Sequence, residues 1–355
     1  MADTPALARL RERLRAASAG GTPLRLRGCG SKDFLAEQLR GDLLELGDHR
    51  GIVSYEPSEL VITARCGTPL AEVAQVLAEQ GQELAFDPPR FGPAASLGGV
   101  IASGLSGPGR LYRGAVRDFV LGARLLDAQG EELRFGGEVM KNVAGFDVAR
   151  LLCGSFGILG VISEVSLKVL PRPRARQTLR LDLAAPEAVA AFNRWAGMPL
   201  PLAATAWHQG AAWVQLAGAE SAIAAARAQI GGEPVDDERA CAFWHGLRDL
   251  TLPFFAGRPL WRVSVPATSA ALPLADVPLI EGGGAVRWYA GPPPGCDVRA
   301  AAVAGAGTAL CFRGDPGTGP RFHPLPAALL SLHRRLKERF DPAGIFNRGR
   351  LVAEL

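Results

Sequence analysis

The stretch TPLRLRGCGSKDF, residues 22–34, contains the first of three glycine-rich segments in this sequence. An alternating run leads into GCGSK, and two glycines, a hydroxyl and a lysine in one turn are typical of backbone N–H groups that converge on an anion. The P-loop pattern requires four residues between its glycines, and the dinucleotide fingerprint requires a third glycine where Asp33 stands. Neither pattern is present. Because glycine is the usual residue wherever φ is positive, the stretch alone favours a tight turn between two strands.

Two further glycine-rich segments follow, PAASLGGVIASGLSG (93–107) and GSFGILG (154–160). The Gly98-Gly99 pair lets backbone approach a ligand closely, and Ser96 and Ser103 add hydroxyl groups. None of the three contains G-x-S-x-G, which excludes a nucleophile elbow. Each segment alone favours a structural turn. Three of them in one α+β region predict an elongated anionic ligand held mainly by backbone N–H groups.

Alternating strands and helices surround these segments. ELVITARCG (59–67) and GVISEVSLKVL (160–170) predict strands, and FVLGARLLDAQGEELRFG (119–136) predicts a hairpin. The strand over 160–170 is expected to be half-buried because apolar and polar residues alternate along it.

Helix signals lie between these strands. Thr68 is expected to N-cap a helix opened by Pro69 and ended by Gly81, and Asp147 to cap a short helix that stops before Gly154. Near the N-terminus, leucines recur on one face of a predicted helix, as is typical of a solvated helix packed on a domain, although a membrane-surface helix shares this pattern. The leucines are Leu7, Leu10 and Leu14.

PRPRARQ (171–177) interrupts this regularity and predicts a domain boundary. Beyond it, WVQLAG and LWRVSVP predict strands and 219–230 a helix, whereas the Gly/Pro-rich stretch 265–320 gives no clear pattern. LPAALLSLHRRLKERFDPAG predicts an amphipathic helix ending at Asp341, followed by an extended IFNRGRL. The prediction is an α+β fold with a first domain over 1–175, a smaller mixed α/β cap over 176–320, and a C-terminal helix and tail over 321–355 that return to the first domain.

Composition narrows the class of protein. The 355 residues suffice for two domains, and 48% hydrophobic with 21% charged residues is an ordinary globular balance. The net charge of +4 is spread along the chain, which argues against a nucleic-acid partner. Without a long apolar run or a signal-peptide core, we expect a cytoplasmic protein. The six cysteines contain no C-x-x-C, so we expect reduced thiols and no zinc or iron–sulfur site.

The order of these segments and the residues in them resemble those of a known family. RGCGSKDF, SLGGVIASGLSGPGR, GGEVMKNVAGFD and GSFGILGVISEVSLKVLPRP resemble the FAD-binding domain of vanillyl-alcohol-oxidase-like (PCMH-type) flavoproteins, and within it the E-subunit family of bacterial glycolate oxidase, better called glycolate dehydrogenase. The resemblance covers about residues 24–177 and resumes at FDPAGIFNRGRL, whereas 178–320 is matched more loosely.

The resemblance implies how the three segments would contact FAD, since a diphosphate needs convergent N–H donors and a flavin ring needs small-residue walls. The first segment would surround the diphosphate with Arg27, Gly28, Cys29, Gly30, Ser31 and Lys32. The second would line the diphosphate and ribityl chain with Ala95, Ser96, Gly98, Gly99, Ala102 and Ser103. The third would border the adenine and isoalloxazine portions with Gly154, Gly157, Gly160, Val161 and Ile162. Asn142 corresponds to family residues near the flavin, and stabilisation of its own loop remains an equal alternative.

Some family members bind FAD covalently through a histidine in the first segment. Ser31 stands there in this sequence, and no histidine occurs between His49 and His208, so the resemblance implies non-covalent FAD. Cys29 could serve as a thiol linkage or a nucleophile. Since no partner histidine accompanies it, we interpret it as a small residue in a tight loop.

Related 2-hydroxy-acid dehydrogenases carry H-x-G-D-G-N-x-H, whose histidines bind a metal that holds the substrate. This sequence lacks that motif, and His208-Gln209-Gly210 is its only approach to it, so no metal site is predicted. Hydride transfer also requires a cation for the substrate carboxylate and a base for the hydroxyl proton. Arg262 and His245 are candidates, although a surface or packing role remains open for each.

Three functions are therefore consistent with the sequence. In the first, the chain is an FAD subunit of a multi-subunit glycolate dehydrogenase that oxidises glycolate or D-lactate. A sister FAD subunit would hold the metal site, an iron–sulfur subunit would pass electrons onward, and the membrane would be reached only through partners. The second is a self-sufficient flavin oxidoreductase for another hydroxy acid or alcohol. The third is an assembly protein that has lost its flavin, which the intact glycine segments disfavour. A scaffold subunit that retains its flavin but has no chemistry of its own is a further alternative.

Overall fold

The computed structural model describes residues 4–138, 146–274, 277–292 and 295–355. The helices, numbered along the chain, are α1 Pro5–Gly20, α2 Leu70–Glu79, α3 Leu97–Ser103, α4 Arg110–Arg113, α5 Val148–Leu151, α6 Ala185–Ala196, α7 Glu220–Ile230, α8 Asp237–Asp249, α9 Val298–Ala304 and α10 Ala327–Phe340. The strands are β1 Leu24–Arg27, β2 Asp42–Glu45, β3 Ile52–Glu56, β4 Val61–Arg65, β5 Gln82–Glu83, β6 Val120–Leu126, β7 Glu132–Gly136, β8 Val161–Lys168, β9 Leu170–Pro171, β10 Ala175–Asp182, β11 Leu202–His208, β12 Ala211–Gly218, β13 Glu233–Val235, β14 Leu260–Ser264, β15 Leu279–Glu281, β16 Val286–Ala290 and β17 Thr308–Arg313.

The chain forms two compact units. The first comprises Met1–Leu105, Ala115–Pro171 and Pro324–Leu355, and the second comprises Ser106–Gly114 and Arg172–His323. The chain passes from the first unit to the second within the PRPRARQ stretch. The sequence did not predict that residues 106–114 belong to the second unit.

The first unit is built on an antiparallel five-stranded sheet in the order β3-β4-β8-β6-β7. The predicted hairpin over 119–136 is confirmed as the pair β6–β7. Strand β8 lies between β4 and β6, and both of its faces are buried rather than one. Its polar side chains remain satisfied because Ser166 Oγ hydrogen-bonds Thr63 Oγ1 at 2.8 Å and Glu164 pairs with Arg124 at 2.7 Å.

The helices of the first unit cover this sheet and its surroundings. Leu7, Leu10 and Leu14 of α1 are buried, as the leucine spacing predicted. The expected cap at Thr68 is wrong. Helix α2 begins at Leu70, after Pro69, because the Thr68 hydroxyl is engaged elsewhere, accepting from the Gly51 N–H at 2.8 Å. Asp147 does cap α5, accepting from the Arg150 N–H at 3.1 Å.

Strands β1 and β2 form a separate parallel pair, so the GCGSK segment between them is not a hairpin turn. The C-terminal tail packs against β1: the Leu24 N–H donates to the Ile345 carbonyl at 2.6 Å, and the Asn347 N–H donates to the Leu24 carbonyl at 2.9 Å. The tail after α10 is therefore a series of turns with one bridge at Phe346 and not the predicted extended segment.

The second unit is an antiparallel eight-stranded sheet in the order β13-β10-β12-β11-β15-β16-β14-β17. The predicted strands WVQLAG and LWRVSVP correspond to β12 and β14, and the predicted helix over 219–230 corresponds to α7. Helices α6 and α7 pack against one face of the sheet. On the opposite face, Phe243 of α8 stacks on Trp213 of β12 with ring centroids 4.0 Å apart.

No helix within the described ranges combines the length and the apolar character that crossing a membrane requires.

Candidate cofactor site

The first unit contains a groove in its surface. Three glycine-rich segments line it, which we call loop 1 (28–32), loop 2 (96–104) and loop 3 (154–160). The groove is lined by Leu26, Arg27, Gly28, Cys29, Gly30, Ser31, Lys32, Asp33, Leu46, Cys66, Ser96, Gly98, Gly99, Ala102, Ser103, Phe156, Gly157, Gly160, Ile162, Asn347 and Arg350.

Most of the residues expected to contact FAD therefore lie along one groove. Three of them lie outside its lining: the Ala95 carbonyl accepts the Leu70 N–H at 2.7 Å, Gly154 donates to the Ile101 carbonyl at 3.1 Å, and Val161 packs in the core with α1. Asn142 lies outside the described residues, so its predicted position near the flavin stays a prediction.

Loop 1 depends on the absence of side chains at its glycines. A Cβ at Gly28 would collide with Ser96 Oγ, and Gly30 has φ +76°, a conformation that non-glycine residues rarely adopt. A Cβ at Gly30 would also stand 2.6 Å from the Arg27 guanidinium. Loop 1 can thus pack closely against loop 2 because Gly28 has no side chain.

Loops 2 and 3 are joined to each other by hydrogen bonds. Ser96 caps α3 by accepting the Gly99 N–H at 3.3 Å, and the Phe156 N–H of loop 3 donates to the Ala102 carbonyl at 2.8 Å. Gly98 lies so close to Cys66 that a Cβ would be 2.7 Å from the Cys66 Cβ. The three loops therefore form one continuous wall.

Cationic side chains line the loop 1 side of the groove. Lys32 is 6% exposed, and its Nζ lies 3.4 Å from Ser31 Oγ. Arg350 is 8% exposed; it donates to Asp33 at 3.2 Å, and Asp33 in turn lies 3.6 Å from Arg27. A groove with buried cations and exposed backbone attracts an anionic ligand.

Sequence reasoning missed the contribution of the C-terminal tail to this groove. Asn347 and Arg350 line it, although both lie more than 300 residues from loop 1 in the chain. The only available signal was the resemblance, which resumed at FDPAGIFNRGRL without assigning these residues a role.

The second unit holds the other candidates from the sequence. Arg262 of β14 lies 5.9 Å from the Trp288 ring and donates to Ser264 Oγ at 3.2 Å, and the Trp288 N–H donates to Glu281 at 2.8 Å. Burial lowers the pKa of Arg262 against the opposing charge of Glu281, and burial raises the pKa of Glu281. The charge of Glu281 thus acts on Arg262 within the second unit, although the effect of burial is larger.

The histidines of the second unit have different surroundings. His245 is exposed on α8, and His208 of β11 contacts the Phe254 ring with centroids 5.6 Å apart. Among the residues that the structure describes, no group of three or more His, Cys, Asp or Glu is arranged to bind a metal ion.

Comparison with known proteins agrees with this geometry. A family model for an FAD-binding domain matches residues 7–136. Two crystal forms of alkyldihydroxyacetonephosphate synthase share the fold with a TM-score of 0.66 at 14% identity, over 96% of this chain and 74% and 75% of theirs. The chain therefore contains an FAD-binding domain and shares the fold of these PCMH-type proteins.

The particular branch follows from closer relatives. Glycolate oxidase subunit GlcE of Escherichia coli (strain K12) is 45% identical over 98% of this chain and 97% of that protein. Glycolate oxidase subunit GlcD of Bacillus subtilis (strain 168) is 31% identical over 39% of this chain and 30% of its own length. The chain belongs to the GlcE family of glycolate oxidase subunits.

The residues of the groove fit FAD. Gly28 and Gly30 line the groove without side chains, so a diphosphate could approach the N–H groups of loop 1, and Lys32 supplies a buried positive charge. Arg350 contributes a further donor: within the described part of the chain, its buried Nε has no hydrogen-bond partner. A buried orphan donor is costly unless a ligand satisfies it, which a phosphate oxygen would do.

Cys29 provides a direct test of this arrangement. Burial raises the pKa of its thiol, but hydrogen bonds from Ser31 and the Ser96 backbone, with the charge of Lys32, outweigh it and lower the pKa below its ordinary value. A lower pKa means more thiolate at a given pH. We therefore expect iodoacetamide to alkylate Cys29 in the FAD-free chain at neutral pH, and bound FAD to protect it, as peptide mass spectrometry would show.

Two internal comparisons sharpen the alkylation experiment. Burial raises the pKa of the Cys153 thiol to about 12, so Cys153 should react far more slowly whether or not FAD is present. Cys29→Ser should remove the labelled peptide and still retain FAD. Equal labelling of Cys29 with and without FAD would contradict the location of FAD in this groove.

Proposed function

We propose that this chain is the FAD-holding E subunit of a multi-subunit glycolate dehydrogenase. The complex oxidises glycolate, and D-lactate as a second substrate, to the 2-oxo acid. Its other members are a sister FAD subunit and an iron–sulfur subunit that receives the electrons. The chain acts in the cytoplasm and reaches the membrane only through its partners.

The observation that carries this proposal is similarity along the whole chain. The 45% identity to GlcE spans 98% of this chain, including the second unit, whereas the match to GlcD is confined to 39%. The chain thus shares the second unit of an E subunit, and a subunit name implies an assembly. D-lactate enters the proposal because a D-lactate dehydrogenase of Anaerostipes hadrus is 30% identical over 38% of this chain and 28% of its own length.

The groove supports non-covalent retention of the cofactor. Within the described residues, its lining contains no histidine to which FAD could be linked. Backbone N–H groups of loops 1 and 2 and the Lys32 and Arg350 cations hold the anionic end of the ligand. When bound, FAD supplies an acceptor for two electrons that are passed on singly.

The second unit supports a dependence on partners for substrate oxidation. The carboxylate of Glu281 already acts on its half-buried arginine, Arg262, and the described residues contain no group of three or more metal-ligating side chains. An arginine that lies near an internal carboxylate binds a substrate carboxylate less strongly, because the substrate must compete with the internal carboxylate. The sister subunit would therefore bind and oxidise the hydroxy acid.

Anaerobic titration of the isolated chain tests this division of labour. We expect the purified chain to carry acid-releasable flavin whose visible absorbance is unchanged by glycolate or D-lactate. Co-expression with the neighbouring genes should yield a complex whose flavin is bleached by glycolate. Bleaching of the isolated chain would contradict the dependence on partners.

A self-sufficient hydroxy-acid oxidoreductase is the second candidate. One observation favours it: Arg110 lies near enough to Arg262 and Glu281 to influence both of their pKa values, so two cations are available for one substrate carboxylate. In that case the isolated chain would be bleached, and the double variant Arg262→Met/Glu281→Gln would abolish the bleaching while retaining FAD. Under the multi-subunit proposal, the same double variant leaves glycolate oxidation by the complex unchanged.

A further inference from the structure

The amide of Asn347 connects loop 1 to loop 3. Its Oδ1 accepts the Leu26 N–H at 2.7 Å, immediately before loop 1, and its Nδ2 donates to the Phe156 carbonyl of loop 3 at 2.7 Å. Asn347 is 4% exposed, and its backbone adopts φ +41°. Loop 3 approaches it so closely that a Cβ at Gly157 would lie 2.9 Å from Nδ2.

A buried ion pair holds the residues just before Asn347. Asp341, at the end of α10, accepts the N–H groups of Ile345 and Phe346 at 3.0 and 2.9 Å. Lys337 Nζ donates to Asp341 at 2.6 Å and to the Phe346 carbonyl at 2.7 Å. It also donates to the Ile158 carbonyl of loop 3 at 2.7 Å. The tail is thus fixed to loop 3 independently of the Asn347 amide.

Arg350 extends the same connection along loop 1. Its guanidinium lies 3.5 Å from the Leu26 carbonyl and 3.2 Å from Asp33, which follows loop 1. The tail therefore contacts the residues on both sides of loop 1, and Asn347 stands between this contact and loop 3.

We propose that Asn347 is a positioning residue for FAD: its amide sets the separation of loops 1 and 3 across the groove. This inference rests on the proposed placement of FAD between these loops. An amide is suited to the task because the two loops present opposite groups, an N–H donor at Leu26 and a carbonyl acceptor at Phe156. Neither an apolar side chain nor a carboxylate satisfies both groups.

Two substitutions of Asn347 test the inference in the full-length FAD-loaded chain. Asn347→Ala should release FAD about tenfold faster after dilution, followed by flavin fluorescence, because both hydrogen bonds are lost. Asn347→Asp should release FAD as fast at pH 8, where the carboxylate opposes the Phe156 carbonyl. Its release should slow towards pH 5.5, because a protonated carboxyl donates as the amide does and burial raises its pKa.

The parent chain and Asn347→Ala show how the rate of FAD release changes with pH when only groups other than residue 347 titrate. They retain the charged groups of the neighbouring ion pairs, which are Arg27, Asp33, Lys337, Asp341 and Arg350. A pH response confined to Asn347→Asp therefore reports the substituted side chain. The same slow-down in all three proteins would overturn the inference.

Asn193→Ala is the matched control for loss of a buried amide. Asn193 Nδ2 donates to the Val189 and Gly283 carbonyls at 2.8 and 2.9 Å in the second unit, so its removal should leave FAD release unchanged. Release from Asn347→Ala within about twofold of the parent would overturn the positioning role. If Gly28→Val also retained FAD, the groove placement itself would be wrong, and the two failures are thereby distinguished.

Discussion

The Gly28→Val variant is expected to purify without FAD. A Cβ at position 28 would collide with Ser96 Oγ, and Ser96 cannot move freely because it caps α3 through the Gly99 N–H. Overpacking of this kind costs ~1–3 kcal/mol, and it would displace the loop 1 backbone whose N–H groups we propose as the donors to the diphosphate. We expect affinity for FAD to fall by about 100-fold or more, measured as flavin content and by fluorescence titration.

Gly47→Val is the matched control for this experiment. Gly47 lies in the turn after β2, its φ is not in the positive region, and a Cβ there meets no atom within 4 Å. This variant should retain FAD in full. Retention of flavin by Gly28→Val, with an unfolding midpoint equal to that of the parent, would show that the cofactor does not contact loop 1.

The Lys337→Met variant is expected to lower the free energy of unfolding of the first unit by about 3–5 kcal/mol. Lys337 and Asp341 are almost completely buried, and the carboxylate left without its partner would be an uncompensated charge. Burial lowers the pKa of Lys337, against the opposing effect of Asp341, which shows that desolvation outweighs the attraction. Denaturant unfolding followed by far-ultraviolet circular dichroism measures the loss.

The double variant Lys337→Met/Asp341→Asn tests the physical cause. Because it removes both charges, it should be more stable than Lys337→Met alone, whereas independent contributions would make it less stable. All six tryptophans lie in the second unit, so their fluorescence reports that unit separately. A loss below about 1 kcal/mol in Lys337→Met would contradict the importance of the ion pair.

Local sequence signals correctly predicted the elements that depend on residues close together in the chain. The leucine spacing of α1, the hairpin β6–β7 and the Asp147 cap depend on residues a few positions apart, and the structure confirms them. The prediction at Thr68 was wrong because a hydroxyl that can cap a helix can equally bond to a distant loop, here at Gly51. The choice between the two depends on tertiary packing.

The candidate site was likewise predictable only where its residues form a local pattern. Loops 1, 2 and 3 were recognisable because glycine and serine concentrate where backbone must remain bare. Asn347 and Arg350 carried no such signal, since each is an ordinary polar residue in a short tail. Their place at the groove arises from hydrogen bonds to Leu26, 321 and 324 residues away, which no local pattern encodes.

The pairing of β1 with the tail has a consequence for biosynthesis. Leu24 hydrogen-bonds Ile345 and Asn347, so the strand that precedes loop 1 obtains these partners only after more than 320 further residues have been synthesised. Elements with such distant partners complete their folding late. The nascent chain should therefore acquire its flavin only after residues 345–347 have left the ribosome, and a ribosome stalled before codon 345 should carry a chain that binds none.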